Sequence, residues 1–182
     1  MNYCIIGTIG YLLFLIYDLN EIKQLHNILK TTFFLGLLIQ LVATLGLFIV
    51  NLRYLEFSVL GFSLSLLGFG FLIYSLFFAL PFEATYIKAG EARKVYDRGV
   101  YAMSRHPGVV FYIIFYIGLY ILEPNRITAS TYMIWSLLNL SYIIFQDLWT
   151  FPRTFDDYDN YRHKTPFLIP TIKSIKSYIN NI

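Results

Sequence analysis

Two stretches of this chain bring together residue types that do chemistry. The first is Asp97-Arg-Gly-Val-Tyr-Ala-Met-Ser-Arg-His-Pro-Gly108. The second runs over residues 146–170, from Gln146-Asp147 through Tyr158, Tyr161 and His163 to Pro170. Pro107 suits the first turn of a helix, because its missing N–H would have no partner there and its ring holds φ at a helical value. Arg105 and His106 therefore stand at a helix start, where free backbone donors and the positive end of the helix dipole favour an anion. The plainer reading is an interfacial Arg-His pair facing lipid headgroups. His106 is also the candidate general base for any acceptor that must lose a proton. His26 and His163 read as interfacial. Cys4 is the only cysteine, so it has no intramolecular disulfide partner, and no basic side chain beside it to activate it.

The elements that must position these residues are apolar. The chain is 57% hydrophobic and 19% aromatic, with 14% charged residues, whereas a soluble domain has about 25% charged residues. Five runs contain no Asp, Glu, Lys or Arg: 3–17, 31–50, 57–80, 108–122 and 127–140. At about 1.5 Å per residue, a helix needs about 20 residues to cross a hydrocarbon core about 30 Å thick. The second, third and fifth runs meet that length, the fifth once it extends to Trp149, while the first and fourth are shorter. The expected fold is all-α, a polytopic membrane bundle of about five transmembrane helices. Residues 1–80 would form a three-helix membrane region, and residues 81–182 two further helices with capping segments. The first run has no preceding basic residue and no small-residue cleavage site after it, so it reads as a retained helix and not as a signal peptide. Gly61, Gly68 and Gly70 are candidates for close helix packing.

Orientation follows from the basic residues. With five spans, one side carries Lys23, Lys30, Lys88, Arg93, Lys94, Arg98, Arg105, Arg153, Arg162, Lys164, Lys173 and Lys176, and the other only Arg53 and Arg126. Lys and Arg concentrate in cytoplasmic loops, which places the N-terminus outside and the C-terminus in the cytoplasm. The modest net charge of +3 suits anionic headgroups and gives no reason to expect nucleic acid as a partner. The connection at 123–126 is short, so the last two helices should form a hairpin. That hairpin brings Arg105 and Asp147 to one depth at the cytoplasmic face. An ionised group at mid-bilayer costs about 2.5 to 3.5 kcal/mol on insertion scales, so Asp147 belongs near the interface, where Arg105 can pair with it.

Over residues 97–170 the chain resembles the isoprenylcysteine carboxyl methyltransferase and phospholipid methyltransferase superfamily. The features are Gly99-x-Tyr101 and Arg105-His106-Pro107 before one membrane helix, a polar pair at the end of the next, Tyr158-x-x-Tyr161, and a closing Pro-Phe-Leu-Ile-Pro170. The resemblance implies a small multi-helix membrane enzyme, and the expected location is a prokaryotic cytoplasmic membrane. It would hold S-adenosylmethionine in a cytoplasmic pocket and methylate a lipid-linked or otherwise hydrophobic acceptor. It also implies that Gly99, Tyr101, Arg105, His106, Pro107, Gln146, Asp147, Tyr158 and Tyr161 bind the cofactor, with Arg105 and His106 catalytic and no metal required. Gln146 and Asp147 stand where the family has a pair of glutamates, and Gly108-Val-Val-Phe follows Pro107 where many relatives have x-Tyr-x-Gly.

Such chemistry suits the residue types. Methyl transfer from a sulfonium is an in-line displacement, in which the protein mainly aligns the reactants. The cofactor's carboxylate would meet Arg105 or His106 and its ammonium Asp147. Tyr101, Tyr158 and Phe167 could pack on the adenine or over the cation. Two other readings remain: a non-catalytic membrane protein that keeps this fold, and a membrane NADPH-dependent reductase, since some larger sterol reductases carry a similar C-terminal motif. The topology is checked by single-cysteine labelling from each side of sealed vesicles, in a background lacking Cys4. Position 2 should label from outside and position 94 from the cytoplasmic side; the reverse pattern overturns the assignment.

Overall fold

The computed structural model describes residues 2–79 and 93–180. Lys88 of the basic tally and Leu80 of the third apolar run lie outside them. Every regular element among the described residues is helical. Helix α1 spans Tyr3–Lys23, and a 3-10 turn at Asn27–Thr31 leads into α2, Thr32–Val50. Helix α3, Val59–Ile73, is extended by a π turn, Tyr74–Phe78. The short α4, Val100–Met103, precedes α5, Pro107–Leu122. Helix α6, Arg126–Phe145, runs on through a second π turn, Gln146–Thr150, into α7, Phe151–Thr154. Two further helices close the chain, α8 at Tyr158–Lys164 and α9 at Ile172–Asn180.

Four segments among the described residues are long and apolar enough to cross a membrane: Tyr3–Lys23, Asn27–Val50, Val59–Phe78 and Arg126–Thr154. Helix α5 is apolar but has only 16 residues, about 24 Å at 1.5 Å per residue. Helix α1 reaches 21 residues, because it continues past the expected end at Tyr17 through Asp18 and Asn20, both buried. It stops where Gln24 turns left-handed, at φ 49°, and donates its N–H to the Asn20 carbonyl at 2.8 Å. Asn125 starts α6 by accepting from the Ile127 and Thr128 amides at 3.0 and 3.1 Å, which satisfies two of the donors that a helix start leaves free.

The helices pack mainly as two pairs, α1 on α2 and α3 on α5, with α6 set against α1 and α5. Small residues bring α3 and α5 together. A Cβ on Gly68 would sit 2.6 Å from the Phe115 amide nitrogen, and one on Gly118 2.4 Å from that of Ser65. Gly61 also faces α5, whereas a Cβ on Gly70 would meet nothing within 4 Å, so that glycine has no packing role. Contacts of this kind let backbones approach where no hydrophobic force joins helices in lipid.

The polarity is arranged inside out. Leu, Ile and Phe side chains cover the outer surface, with Phe57 86% exposed. The interior combines the fully buried Trp135 with a hydroxyl and amide network. Gln40 donates to the Tyr112 and Tyr116 hydroxyls at 3.2 and 3.1 Å, Thr44 lies 2.7 Å from the Tyr116 hydroxyl, and Tyr11 bonds to Tyr112. An apolar exterior of this extent is compatible with an integral membrane protein.

At the α5–α6 turn, Glu123 is wholly buried. Tyr132 donates to its Oε1 at 2.5 Å, and its Oε2 has no partner. Burial raises the Glu123 pKa to about 7, against the smaller opposing effect of the Tyr132 hydrogen bond. A carboxyl held above its ordinary range contributes stability that is fully present below that range and is lost as pH rises through the raised value. The thermal unfolding midpoint in detergent should therefore fall as pH is raised through about 7. Glu123→Gln should flatten that dependence; an identical slope in the variant would assign it to another group.

Candidate functional site

The polar residues meet where α5 begins and α6 ends. Gly99 opens α4 with φ 56° and ψ −139°, a region that L side chains rarely adopt, and a Cβ there would meet nothing within 4 Å. Its requirement is therefore conformational. Tyr101 on α4 donates its hydroxyl to the Ser75 carbonyl in the π turn of α3 at 2.7 Å, and burial lifts this phenol to about 12. Tyr161 of α8 in turn donates to the Tyr101 carbonyl at 2.7 Å.

The residues ahead of Pro107 have no helical partners of their own, and residues 165–167 supply them. The Arg105 amide donates to the Pro166 carbonyl at 2.9 Å, and the His106 amide to that of Phe167 at 3.2 Å. The Ser104 hydroxyl also donates to the Phe167 carbonyl, at 3.2 Å. Pro107 is the first residue of α5, as its sequence context predicts.

Arg105 and Asp147 then form a two-pronged ion pair. Nε donates to Oδ1 at 2.9 Å and Nη2 to Oδ2 at 3.1 Å. The side chains are 8% and 5% exposed. Nη1 donates to the Arg162 and Thr165 carbonyls at 2.8 and 3.0 Å, so four of the five guanidinium N–H groups are engaged. Asp147 Oδ1 also accepts from the Tyr158 hydroxyl at 2.5 Å and from His106 Nε2 at 3.2 Å. The half-exposed Arg162 has its Nε 3.7 Å from Oδ2. Phe167 lies over the guanidinium, 5.6 Å from ring centroid to Cζ.

His106 is sandwiched between Phe151 and Phe167, at ring separations of 5.8 and 5.1 Å. Burial lowers its pKa, outweighing the pull of Asp147. The ring is thus neutral at neutral pH, and because its partner is a carboxylate oxygen, Nε2 carries the proton. Burial and the Asp147 bond together push the Tyr158 phenol well above its ordinary range. Beside the ion pair lies a shallow depression of about 250 Å³ lined by Arg105, Ile144, Asp147, Leu148, Arg162 and Phe167. That is slightly below the range of about 300 to 1,000 Å³ usual for ligand pockets.

Of the residues singled out in the sequence, Arg105, His106, Asp147 and Tyr158 share this cluster directly. Gly99, Tyr101, Pro107 and Tyr161 shape the backbone around it. Gln146 points elsewhere: its Nε2 donates to the Tyr142 hydroxyl at 2.8 Å and to Asp18 Oδ1 at 3.4 Å. Thr150 donates to Asp18 Oδ2 at 3.3 Å. Asp18, Tyr142, Gln146 and Thr150 make a second polar cluster, between α1 and the end of α6. His26 and His163 are exposed, in keeping with an interfacial place.

The chain matches no protein-family model, no curated protein and no solved structure. Fold and site together define a class: a protein all-helical among the described residues, compatible with a membrane, carrying a buried ionic cluster at one end of its bundle.

Removing one partner of a buried ion pair leaves an uncompensated charge and costs about 3 to 5 kcal/mol, against at most about 1 for an exposed pair. Arg105→Ala and Asp147→Ala should each show a loss of that size in reversible denaturation in mixed micelles. Tyr158→Phe, which removes one hydrogen bond to a charged acceptor, should cost about 1.5 to 3 kcal/mol. Losses near zero in both alanine variants would mean that the pair is solvated.

Proposed function

We propose that the chain is an integral membrane methyltransferase that uses S-adenosylmethionine, with the Arg105–Asp147 cluster as its cofactor site. In this reading five helices cross the bilayer, α5 the shortest, with the N-terminus outside and the site on the cytoplasmic face. The observation that carries the reading is the pairing of Arg105 with Asp147 across 42 positions of sequence, at the end of an apolar hairpin and beside a depression that contains both.

The donor set fits an amino-acid zwitterion in charge. Arg105 matches a carboxylate and Asp147 an ammonium, so an incoming zwitterion exchanges one buried ion pair for two without leaving either side chain unpaired. The exchange requires Arg105 to release Asp147, and the cap of residues 158–170 to shift enough to enlarge the depression. Phe167 and Tyr158 would then line the enlarged site. S-adenosylmethionine supplies an electrophilic methyl on its sulfonium. The protein's part is to align the acceptor with that methyl and to exclude water. His106, neutral and with its Nε2–H on Asp147, would take a proton through Nδ1 from an acceptor that must lose one.

A lateral groove supports a lipid-borne acceptor. A cavity of about 290 Å³ lies between α1 and α6, lined by Tyr11, Leu12, Leu15, Leu138, Tyr142 and Phe145 among others. Leu12 is exposed on the apolar surface, and Tyr142 accepts a hydrogen bond from Gln146 in the Asp18 cluster. A hydrocarbon chain in this groove would lie beside the Asp18 cluster, at the end of α6 that also carries Asp147.

A second reading, a non-catalytic membrane protein with the same fold, is favoured by the engagement of four Arg105 donors within the chain and by the turning of Gln146 toward Asp18. Calorimetry on the purified protein in detergent separates the two. The methyltransferase reading expects S-adenosylmethionine and S-adenosylhomocysteine to bind and NADPH not to. Arg105→Lys, which keeps the charge but not the two-pronged geometry, should weaken binding by about tenfold or more. Failure of both sulfur ligands to bind supports the non-catalytic reading; binding of NADPH alone supports a reductase.

A further inference from the structure

Helix α9 has three distinct faces. At about 100° per residue, Ile172, Ile175 and Ile179 fall on one stripe, Lys173 and Lys176 beside it, and Ser174 and Tyr178 on the remaining side. The last face is the one that docks. Ser174 is buried, with its hydroxyl 2.9 Å from the Met103 carbonyl, and α9 packs on α4. The isoleucine stripe is open: Ile172 is 77% exposed, Ile175 41% and Ile179 61%, and Ile169 ahead of the helix is exposed too. Lys173 and Lys176 are exposed and make no ion pair among the described residues, and α9 contains no acidic residue.

An apolar stripe edged by lysines fits one kind of surface. The isoleucines match the boundary between acyl chains and headgroups, and the lysines match headgroup phosphates. A second copy of the chain fits less well. A two-fold contact through this stripe would set the lysines of one copy beside those of the other, and a nine-residue helix presents much less than the roughly 600 to 1,000 Å² per partner of a stable interface. The same apolar side chains facing water at the end of a bundle that already sits in lipid would be left without any solvent that suits them.

We propose that α9 seats its Ile172, Ile175 and Ile179 stripe on an anionic lipid surface, at the Arg105–Asp147 end of the bundle. The proposal does not depend on the methyltransferase reading; it rests on that end of the bundle lying at a membrane face. Seating there would be felt close to the ion pair, because Met103 lies two residues before Arg105 and is held by Ser174.

The test uses the full chain, with Cys4 replaced by Ser, reconstituted in vesicles of phosphatidylcholine alone or mixed with phosphatidylglycerol. Nitroxide labels at Ile175→Cys, Ile179→Cys and Lys173→Cys report collisions with lipid-soluble oxygen and with a water-soluble nickel chelate. In the anionic vesicles, the labels at 175 and 179 should favour oxygen over the chelate and the label at 173 the chelate over oxygen, as the two faces of an interfacial helix require. Neutral vesicles, or Lys173→Gln with Lys176→Gln, should weaken seating by about thirtyfold, the factor two interfacial lysines contribute. Retained helicity by circular dichroism shows that the double variant still folds. Water-exposed labels at 175 and 179 in both vesicle types overturn the proposal. So does equal lipid exposure with and without anionic headgroups, or exposure that follows the protein-to-lipid ratio, which would mean that another copy covers the stripe.

Discussion

The bond between Arg105 and Asp147 organises one whole end of this molecule. Two charges withdrawn from water cost several kcal/mol each unless each is met in full, and here the requirement recruits three segments distant in sequence. Asp147 is supplied by Arg105, His106 and Tyr158, while Arg105 reaches back to the carbonyls of Arg162 and Thr165. The segment after α8 is therefore held against the start of α5 twice, once by the guanidinium and once by the amides of Arg105 and His106. Cap, helix start and helix end form a single cooperative unit, and any ligand that separates the pair must rearrange all three. The two π turns, Tyr74–Phe78 and Gln146–Thr150, lie at this same end, where the extra residue of each turn shifts the phase of the helix that carries it.

The rest of the bundle follows the opposite rule. Its surface is apolar, compatible with a membrane, and its helices are joined by close backbone contact and by hydrogen bonds. Gly68 and Gly118 bring α3 to α5, while Gln40, Thr44, Tyr112, Tyr116 and Tyr11 link α1, α2 and α5 through their polar groups. The satisfied hydroxyls and amide favour this register, because every alternative must satisfy them as well; Gln40 Oε1, buried without a partner, subtracts from that advantage.

Much of the fold was legible in the distribution of charge along the chain. Long uncharged runs mark helices, and two of the three glycines singled out for close packing do face α5. The ion pair was legible as well, since the short turn at 123–126 forces Arg105 and Asp147 to a common depth. Other features had no such signal. Asp18 closed the first apolar run when charge was the criterion, yet the helix continues for five residues beyond it, and the carboxylate points inward to Gln146 and Thr150. A charge spaced helically from buried Tyr11 and Phe14 was the available clue. The direction of Gln146 was hidden for a related reason. It is adjacent to Asp147 in sequence, but successive residues on a helix face different neighbours, so the two polar side chains serve separate clusters. The two bonds from Arg105 to the carbonyls of residues 162 and 165 could not be read at all, because they depend on where an irregular segment returns.

The central claim is that the Arg105–Asp147 pair is the element a zwitterionic cofactor opens. The most direct measurement is of the arginine side-chain ¹⁵N resonances in the reconstituted protein, with Arg105 assigned by its loss in Arg105→Lys, during titration with S-adenosylmethionine. A saturable shift of the Arg105 Nε and Nη signals, absent in Asp147→Ala and reproduced by S-adenosylhomocysteine, is the predicted result. Resonances that stay at their ligand-free positions while the ligand demonstrably binds would contradict the claim and leave the pair as a purely structural clamp.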